Sequence, residues 1–486
     1  MGSRRDFLKR SAGALTGALG APMIVRASAL GLGGATPPSE RVTVGIIGSG
    51  QRAVFEALQY PCFDNVVIVA LSDAVDSHLQ DAKAKLEKQY DLLQPNRPNK
   101  GMRLYPDFQE LLAQKDIDAV YNAAPDHWHA SMALRSLKAG KHLHYEKPMS
   151  TSVEQDLAVL KARRKFPNLV VQYGTELRAS PPAQKAIELV VNGRIGKVQK
   201  IYLLPPGSGS GGSATPVLPV PPGFNYDAWL GPAPMEPFCF DRCLRPDRNG
   251  IFSIDDYCLG GINNWIHVHD QMQRWADATG RLDPPIHYEG WGKFPTEGLY
   301  NDAMQWHVKC TWADGLEVDF LDARTYRTLP DVPQPLIDPP RPGMSNGVVF
   351  MGSEGWVAIS YGSNNSAASQ PASLMQSEIG PNEIHVLSSA LDKVPANLPK
   401  GFQQALTAGH HQNWIKAILA GDPKAVVSPI ESAFRSDMLA QLAQLSIRTG
   451  QPVQWDPKNE TIVGNDLAKR MMHRPMRDPW GLIDLG

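Results

Sequence analysis

VTVGIIGSGQRA, residues 42–53, is a short apolar run that ends in glycine and leads into a stretch suited to a helix. A run of this kind fits a strand buried on both faces of a parallel sheet. Gly48-Ser49-Gly50-Gln51-Arg52-Ala53 matches G-x-G-x-x-G/A in the context that pattern needs, after a strand and at the opening of a helix. The first glycine permits a tight turn and the second lets backbone approach a pyrophosphate. The small Ala53 lets helix and strand pack closely. Amides at the start of the helix favour the phosphates. Plain βα turns share this pattern, so a second signal matters. Asp73 ends the next β-rich run, 20 residues after Ala53. An acid there suits the adenosine ribose hydroxyls and repels a 2′-phosphate. Ala74-Val75-Asp76-Ser77 contains no Arg or Lys, so NAD is favoured over NADP. Gly48, Ser49, Gly50, Gln51, Arg52 and Asp73 are the first cofactor-binding candidates.

On either side of this motif, strand and helix patterns alternate. Val42–Ile47, Val66–Leu71, Ala119–Ala123, His142–Tyr145 and Leu169–Tyr173 read as strands. Gln51–Tyr60, Asp76–Tyr90, Phe108–Gln114, His129–Ala139 and Val153–Phe166 read as helices. The alternation predicts βαβ units and an α/β Rossmann domain over residues 40–175. Pro182–Asn192 reads as a further helix, and Pro205–Gly223 as a long Pro/Gly/Ser-rich surface loop. From 284 to 361 the runs are β-like and lack long helices between them. They predict an α+β domain over 176–403 with an open, mainly antiparallel sheet. Helices return at Gln404–Leu419 and Pro429–Thr449, and residues 404–486 are expected to pack back on the Rossmann domain.

A formal net charge of −1 leaves no electrostatic footprint for nucleic acid or anionic membrane, and no apolar run is long enough for a stable membrane anchor. The five cysteines fit no metal-binding spacing, and Cys239 and Cys243 are read as unpaired thiols. The N-terminus has the layout of an export signal. Arg4-Arg5 precedes Phe7-Leu8, an Ala/Gly/Leu-rich run covers Ser11–Val25, and Ala27-Ser28-Ala29 is a small-x-small cleavage pattern. The paired arginines resemble a twin-arginine signal. Residues 1–29 are therefore read as a signal handled by the twin-arginine export machinery and cleaved near Ala29. Residues 30–40 would form an N-terminal arm, and the mature protein would be periplasmic.

Two more stretches carry a family resemblance. Asn122-Ala123-Ala124-Pro125-Asp126-His127-Trp128-His129 follows the fourth strand, and His144-Tyr145-Glu146-Lys147-Pro148 ends the fifth. With Trp229-Leu230-Gly231-Pro232, Gly260-Gly261, His410-His411-Gln412-Asn413-Trp414 and the Arg474-Pro475…Pro479-Trp480 tail, they resemble the Gfo/Idh/MocA family of glucose–fructose oxidoreductase and inositol dehydrogenase. That resemblance implies a sugar oxidoreductase, with Lys147 supporting hydride transfer from a carbinol. Ala124, Pro125, His129, Glu146 and Lys147 join the cofactor-binding candidates, with Glu146 either facing the ribose or packing against a helix terminus. The family's Asp-x-x-x-His motif is matched imperfectly by Asn263-Asn264-Trp265-Ile266-His267-Val268-His269-Asp270. Residues 267 and 269 cannot share a helix face. His269, with Asp270 beside it, is preferred as acid/base, and His267 is the second choice. A histidine suits a proton transfer near neutral pH. Arg178, Trp229, Tyr257, Asn263, Asn264 and Trp265 are candidates for a sugar pocket. No metal is implied, and relatives suggest a homodimer or homotetramer.

Export constrains the chemistry further. There is no NAD pool outside the cytoplasm, so an exported enzyme must keep its cofactor and recycle it. One reaction that satisfies this oxidises one sugar and reduces another. A second passes through a transient keto-sugar, giving net glycoside cleavage or epimerisation. Some exported relatives work in that second way but often vary Glu-Lys-Pro, which is intact here. A third reading is a non-catalytic sugar-binding protein that retains a dinucleotide.

Overall fold

Val42–Ile47 (β1) is almost wholly buried at the centre of a six-stranded parallel sheet. Its neighbours are Val66–Ser72 (β2) and Ala119–Asn122 (β4). Arg103–Tyr105 (β3), His142–Tyr145 (β5) and Val171–Tyr173 (β6) complete the order β3-β2-β1-β4-β5-β6. Gln51–Ala57 (α1), Asp76–Leu93 (α2), Phe108–Leu112 (α3), His129–Lys138 (α4) and Val153–Lys165 (α5) alternate with these strands. Helix α2 buries Leu79, Ala82, Leu86 and Tyr90 at helical spacing. The order reverses between β1 and β4, so the loops after these two strands open a crevice at the carboxyl edge of the sheet.

The computed structural model describes Pro37 and residues 40–97, 99–207, 215–244, 249–330, 332–333, 346–362 and 366–485. The expected export signal and nearly all of the expected arm lie outside these residues. The chain to Arg41 is one unit, in which the Glu40 N–H donates to the Pro37 carbonyl at 2.9 Å; Val42–Gly486 is the other.

After Pro181–Val191 (α6) the chain builds a second sheet. Its strands are Val198–Leu204 (β7), His287–Lys293 (β8), Gln305–Thr311 (β9), Glu317–Leu321 (β10), Gly347–Gly352 (β11), Trp356–Ser360 (β12), Ala367–Gln370 (β13), Val453–Asp456 (β14) and Thr461–Val463 (β15). The order is β13-β12-β11-β7-β10-β9-β8-β14-β15, and only β7 and β10 pair in parallel. Between β7 and β8 lie Tyr226–Leu230 (α7), Phe240–Cys243 (α8), Asn249–Ser253 (α9), Gly260–Asn264 (α10) and Ile266–Ala278 (α11). Ala323–Tyr326 (α12) follows β10, and Phe402–Ala420 (α13), Ile430–Thr449 (α14) and Asp466–Met471 (α15) close the chain. Val268, Met272 and Trp275 of α11 and Met438 and Leu442 of α14 share a core with Val308, Phe320 and Phe350 of the sheet.

The C-terminal segment departs from the expectation that all of residues 404–486 returns to the first domain. Helix α13 does so: Trp414, Ile415 and Ala417 pack with Val42, Val44 and Ala119. Helix α14 packs on both domains, on α5 of the first and on α11 and β8 of the second, whereas β14 and β15 extend the second sheet. The tail crosses back, with Trp480 edge-on to Trp128 at 5.3 Å. Strand β8 was hidden by its glycines, which its neighbours require. A Cβ at Gly290 would lie 2.1 Å from the His307 carbonyl oxygen, and one at Gly292 would lie 2.7 Å from Ile447.

Candidate functional site

A cleft of about 930 Å³ opens at the carboxyl ends of β1, β2, β4 and β5 and is closed on its other side by residues of α7 to α11. At one end the backbone shapes it. Gly48 has φ +80°, and a Cβ there would lie 2.5 Å from the Ala124 nitrogen. Gly50 faces open space, and Gln51 and Arg52 line the cleft beside it. Ser49 turns away. Its N–H donates to Asp73 Oδ2 at 2.7 Å and its hydroxyl donates to the Ser72 carbonyl at 3.2 Å. Asp73 lines the cleft and also accepts the Val75 N–H at 2.9 Å. A glycine cradle with no room for a side chain, joined to a fixed acid at the next strand end, fits a dinucleotide. His78 follows the Ala74–Ser77 segment. It lines the same end, 3.2 Å from Asp73, and that hydrogen bond raises its pKa.

The loops after β4 and β5 meet in the middle of the cleft. Ala124, Pro125 and His129 line it. His129 spans the two loops, with Nδ1 2.5 Å from the Pro148 carbonyl and Nε2 2.9 Å from that of Ala124. His127 and Trp128 both reach the Trp229 carbonyl, each at 3.0 Å, and so fasten α7 to this edge. Glu146 accepts the Tyr121 hydroxyl at 2.9 Å and lies 3.4 Å from Arg52. Arg52 also contacts Glu56 and Glu176, which makes it the cation of a buried three-carboxylate cluster.

Lys147 and His267 stand at the other end. The Lys147–Pro148 peptide is cis. Lys147 Nζ donates to Asn264, 2.9 Å from its carbonyl and 3.3 Å from Oδ1. His267 is buried, with Nε2 3.5 Å from Glu176 Oε2 and no partner for Nδ1. Burial pushes its pKa down to about 4 although Glu176 pulls the other way. Burial pushes Glu176 up, but His267 and Arg52 together hold it well below the ordinary carboxylate range. Glu176 also accepts from Tyr361 at 3.2 Å and Gln403 at 2.8 Å. The result is an imidazole kept neutral by burial next to a fixed carboxylate, with Nδ1 buried and without a partner.

The structure reverses the order of the two histidines. His269 does not line the cleft. It is buried edge-on to Phe320 at 4.8 Å, both ring nitrogens lack partners, and burial lowers its pKa to about 3. Asp270 is also away from the cleft, held in a buried ion pair with Arg178 at 2.7 Å. Arg178 is thereby removed from the sugar pocket, and it donates further to Ser432 at 2.7 Å and to the Val427 carbonyl. Tyr257 packs against His127 and Trp229 and accepts from Arg242 at 3.2 Å. Asn263 turns to Asp437 at 3.4 Å. Neither lines the cleft, whereas Trp229, Asn264 and Trp265 do. Glu176 and Tyr361 were missed. Glu176 sits in the same short turn as Arg178, residues 176–179, but no spacing rule distinguishes it, and Tyr361 follows β12 of the second sheet.

Comparisons with known proteins agree with this architecture. Residues 42–174 match the model of the oxidoreductase family with an NAD-binding Rossmann fold, Gfo/Idh/MocA, and residues 415–482 match the C-terminal alpha/beta domain of that family. A levoglucosan dehydrogenase solved with NADH and levoglucosan superposes with TM-score 0.57 at 16% identity, covering 85% of this chain and 99% of that one. Scyllo-inositol dehydrogenase from Lactobacillus casei, solved with NAD(H) and scyllo-inositol, gives TM-score 0.53 at 17% identity, covering 85% and 99%. Among curated proteins, a glycosyl hydrolase family 109 protein of Shewanella baltica is 31% identical over 191 residues, 36% of this chain and 40% of that protein. Another, from Shewanella sp. strain ANA-3, is 30% identical over 165 residues, 31% and 35% of the two chains. The chain thus spans less than half the length of these curated relatives.

Proposed function

Because the chain belongs to the Gfo/Idh/MocA oxidoreductase family, we propose that it is an exported, NAD-dependent oxidoreductase that acts on a CH–OH group of a sugar or sugar derivative and keeps its cofactor between turnovers. The observation that carries this reading is the meeting of Lys147, Asn264 and His267 in the cleft that Gly48, Gly50 and Asp73 enter from the other end. Gly48, Gly50, Gln51, Arg52 and Asp73 would hold the dinucleotide, which when bound supplies the hydride acceptor. Asn264 aims Lys147 so that its ammonium donates to the substrate hydroxyl and stabilises developing negative charge on that oxygen. His267 takes the hydroxyl proton as the carbinol hydrogen leaves with its electron pair. Glu176, 3.5 Å from His267 Nε2, steadies the imidazolium that forms. Trp229 and Trp265 offer faces to the sugar ring.

The test is to titrate the mature protein, with whatever cofactor it carries and none added, against levoglucosan, D-glucose and myo-inositol. Absorbance of the bound nicotinamide is followed. Growth of the reduced band followed by its decay on adding a keto-sugar supports the reading, and no change with any sugar contradicts it. The curated glycosidase relatives favour a second reading on the same residues, in which the sugar is oxidised only transiently and the net reaction is glycoside cleavage. Release of free sugar from a glycoside with no net reduction of the cofactor separates the two.

A further inference from the structure

We propose that Asp437, on α14, is a positioning residue for Lys147: it holds the loop that carries this lysine at a fixed distance from α10, which aims its ammonium. This rests on the oxidoreductase reading above and adds to it a residue that never touches the sugar. Lys147 Nζ donates to the Asn264 carbonyl at 2.9 Å and to Asn264 Oδ1 at 3.3 Å. That contact joins a loop of the first domain to a helix of the second. A flexible four-carbon side chain does not by itself set the distance between them. Asp437 does. Its Oδ1 accepts the Met149 N–H at 2.8 Å, two residues after Lys147, and the Asn263 side-chain amide at 3.4 Å, one residue before Asn264. The contacts close a ring that runs from Lys147 through Met149, Asp437, Asn263 and Asn264 back to Lys147. Oδ2 accepts the Tyr173 hydroxyl at 2.7 Å, so a third donor fixes the plane of the carboxyl.

Two further observations separate this role from ordinary packing. Asp437 is fully buried and does not line the cleft, so it acts on the sugar only through Lys147. The three donors it accepts are a backbone amide, a side-chain amide and a phenol, none of them a cation. Its helix neighbours Met438, Leu439 and Leu442 lie in the hydrophobic core. A carboxyl in that setting costs stability that an apolar side chain would not. What it supplies is direction, since its two oxygens gather donors from three separate parts of the fold. Gln441, one turn further along α14, grips the same loop from the same helix face. Its Nε2 donates to Asp156 Oδ2 at 2.8 Å, and Asp156 accepts the hydroxyl of Ser150, the residue after Met149.

The test mixes the mature holoprotein rapidly with D-glucose, levoglucosan or myo-inositol and follows reduction of the bound nicotinamide. Wild type is compared with Asp437→Ala, Asp437→Asn and Asn263→Ala, and with Val308→Ala, a core truncation in the second sheet that controls for lost stability. Cofactor content and melting temperature are recorded for each protein. Small misplacements of a reacting group are costly, so Asp437→Ala should lower the limiting rate by roughly 30- to 100-fold. Its half-saturating sugar concentration should stay within about 3-fold, with the cofactor retained, because the binding surfaces are untouched. Asp437→Asn still accepts the Met149 N–H and can donate to the Tyr173 oxygen, so it should stay within about 5-fold of wild type. Val308→Ala should melt lower while its limiting rate stays within about 3-fold. Asn263→Ala opens the ring at its other contact and should cost about 10-fold, and adding it to Asp437→Ala should cost little more. A limiting rate in Asp437→Ala no lower than in Val308→Ala overturns this proposal alone, and so does an Asp437→Asn as slow as Asp437→Ala. If Asp437→Ala does not fold, Asn263→Ala decides, and a wild-type rate there overturns the proposal. A wild type that responds to none of the sugars overturns the oxidoreductase reading and this proposal with it.

Discussion

His267 and His269 are two residues apart and carry opposite expectations. His267→Ala should lower kcat by about 100-fold or more while leaving bound cofactor in place, because it removes the proton acceptor. His269→Leu should leave kcat within about 3-fold and be neutral or stabilising in thermal melts, since it replaces a buried ring with two unpartnered nitrogens by an apolar side chain. Steady-state rates and melting curves on the two variants decide between them. The acid limb of the rate profile follows the same logic. His267 must be neutral to take a proton, and burial holds it near 4, so activity should persist well below pH 6 and fail only as the pH approaches 4. At the cofactor end, Gly48→Ala combines a left-handed φ of +80° with a 2.5 Å approach to Ala124. About 1–3 kcal/mol of strain should accompany loss of bound dinucleotide, read by mass spectrometry.

At the scale of elements, legibility in the sequence followed local physics. Strands β1 and β2 are mainly apolar runs bounded by turn residues, and the glycine turn after β1 needs no distant partner to be recognised. The choice between two histidines on α11 depends on which face of that helix meets Glu176, 91 residues back along the chain. No local pattern carries that information. Arg178 and Asp270 likewise suit a sugar pocket by residue type, but they neutralise each other, which only the packing of α11 against the turn at residues 176–179 reveals. Helix α14 illustrates the same limit. Its Asp437 accepts from the Met149 N–H at 2.8 Å and Tyr173 at 2.7 Å, so it ties the Lys147 loop to the second domain. Burial raises its pKa to about 7. The folded chain then binds this proton more tightly than the unfolded chain, whose carboxylates titrate near 3.9. The associated stability is present below that range and is lost as pH rises through 7. The nearby Asp156 is shifted the same way by burial and by Asp437. Asp437→Asn should therefore flatten the fall of melting temperature between about pH 5 and 8, measured by calorimetry.

Within residues 42–486 the cleft lies between the edge of the first sheet and residues of α7 to α11, and the C-terminal segment serves both sheets. Helix α13 backs the nucleotide-binding sheet, while β14 and β15 finish the second one. That division was not legible because Val453–Asp456 and Thr461–Val463 are too short to declare a strand pattern, and the pairing of β14 with β8 is long-range. Placement of the site at the carboxyl edge of the first sheet followed directly from the glycine motif. If the chain is exported folded, as proposed, it can take a cofactor with it. Replacing Arg4 and Arg5 by lysine should keep the protein in the cytoplasm, as read by cell fractionation. The most direct test of the central claim is to purify the mature protein with no cofactor added, denature it, and identify the released nucleotide by mass spectrometry. One NAD(H) per chain is the predicted result; a chain that releases no nucleotide and fails to bind added NAD would contradict it.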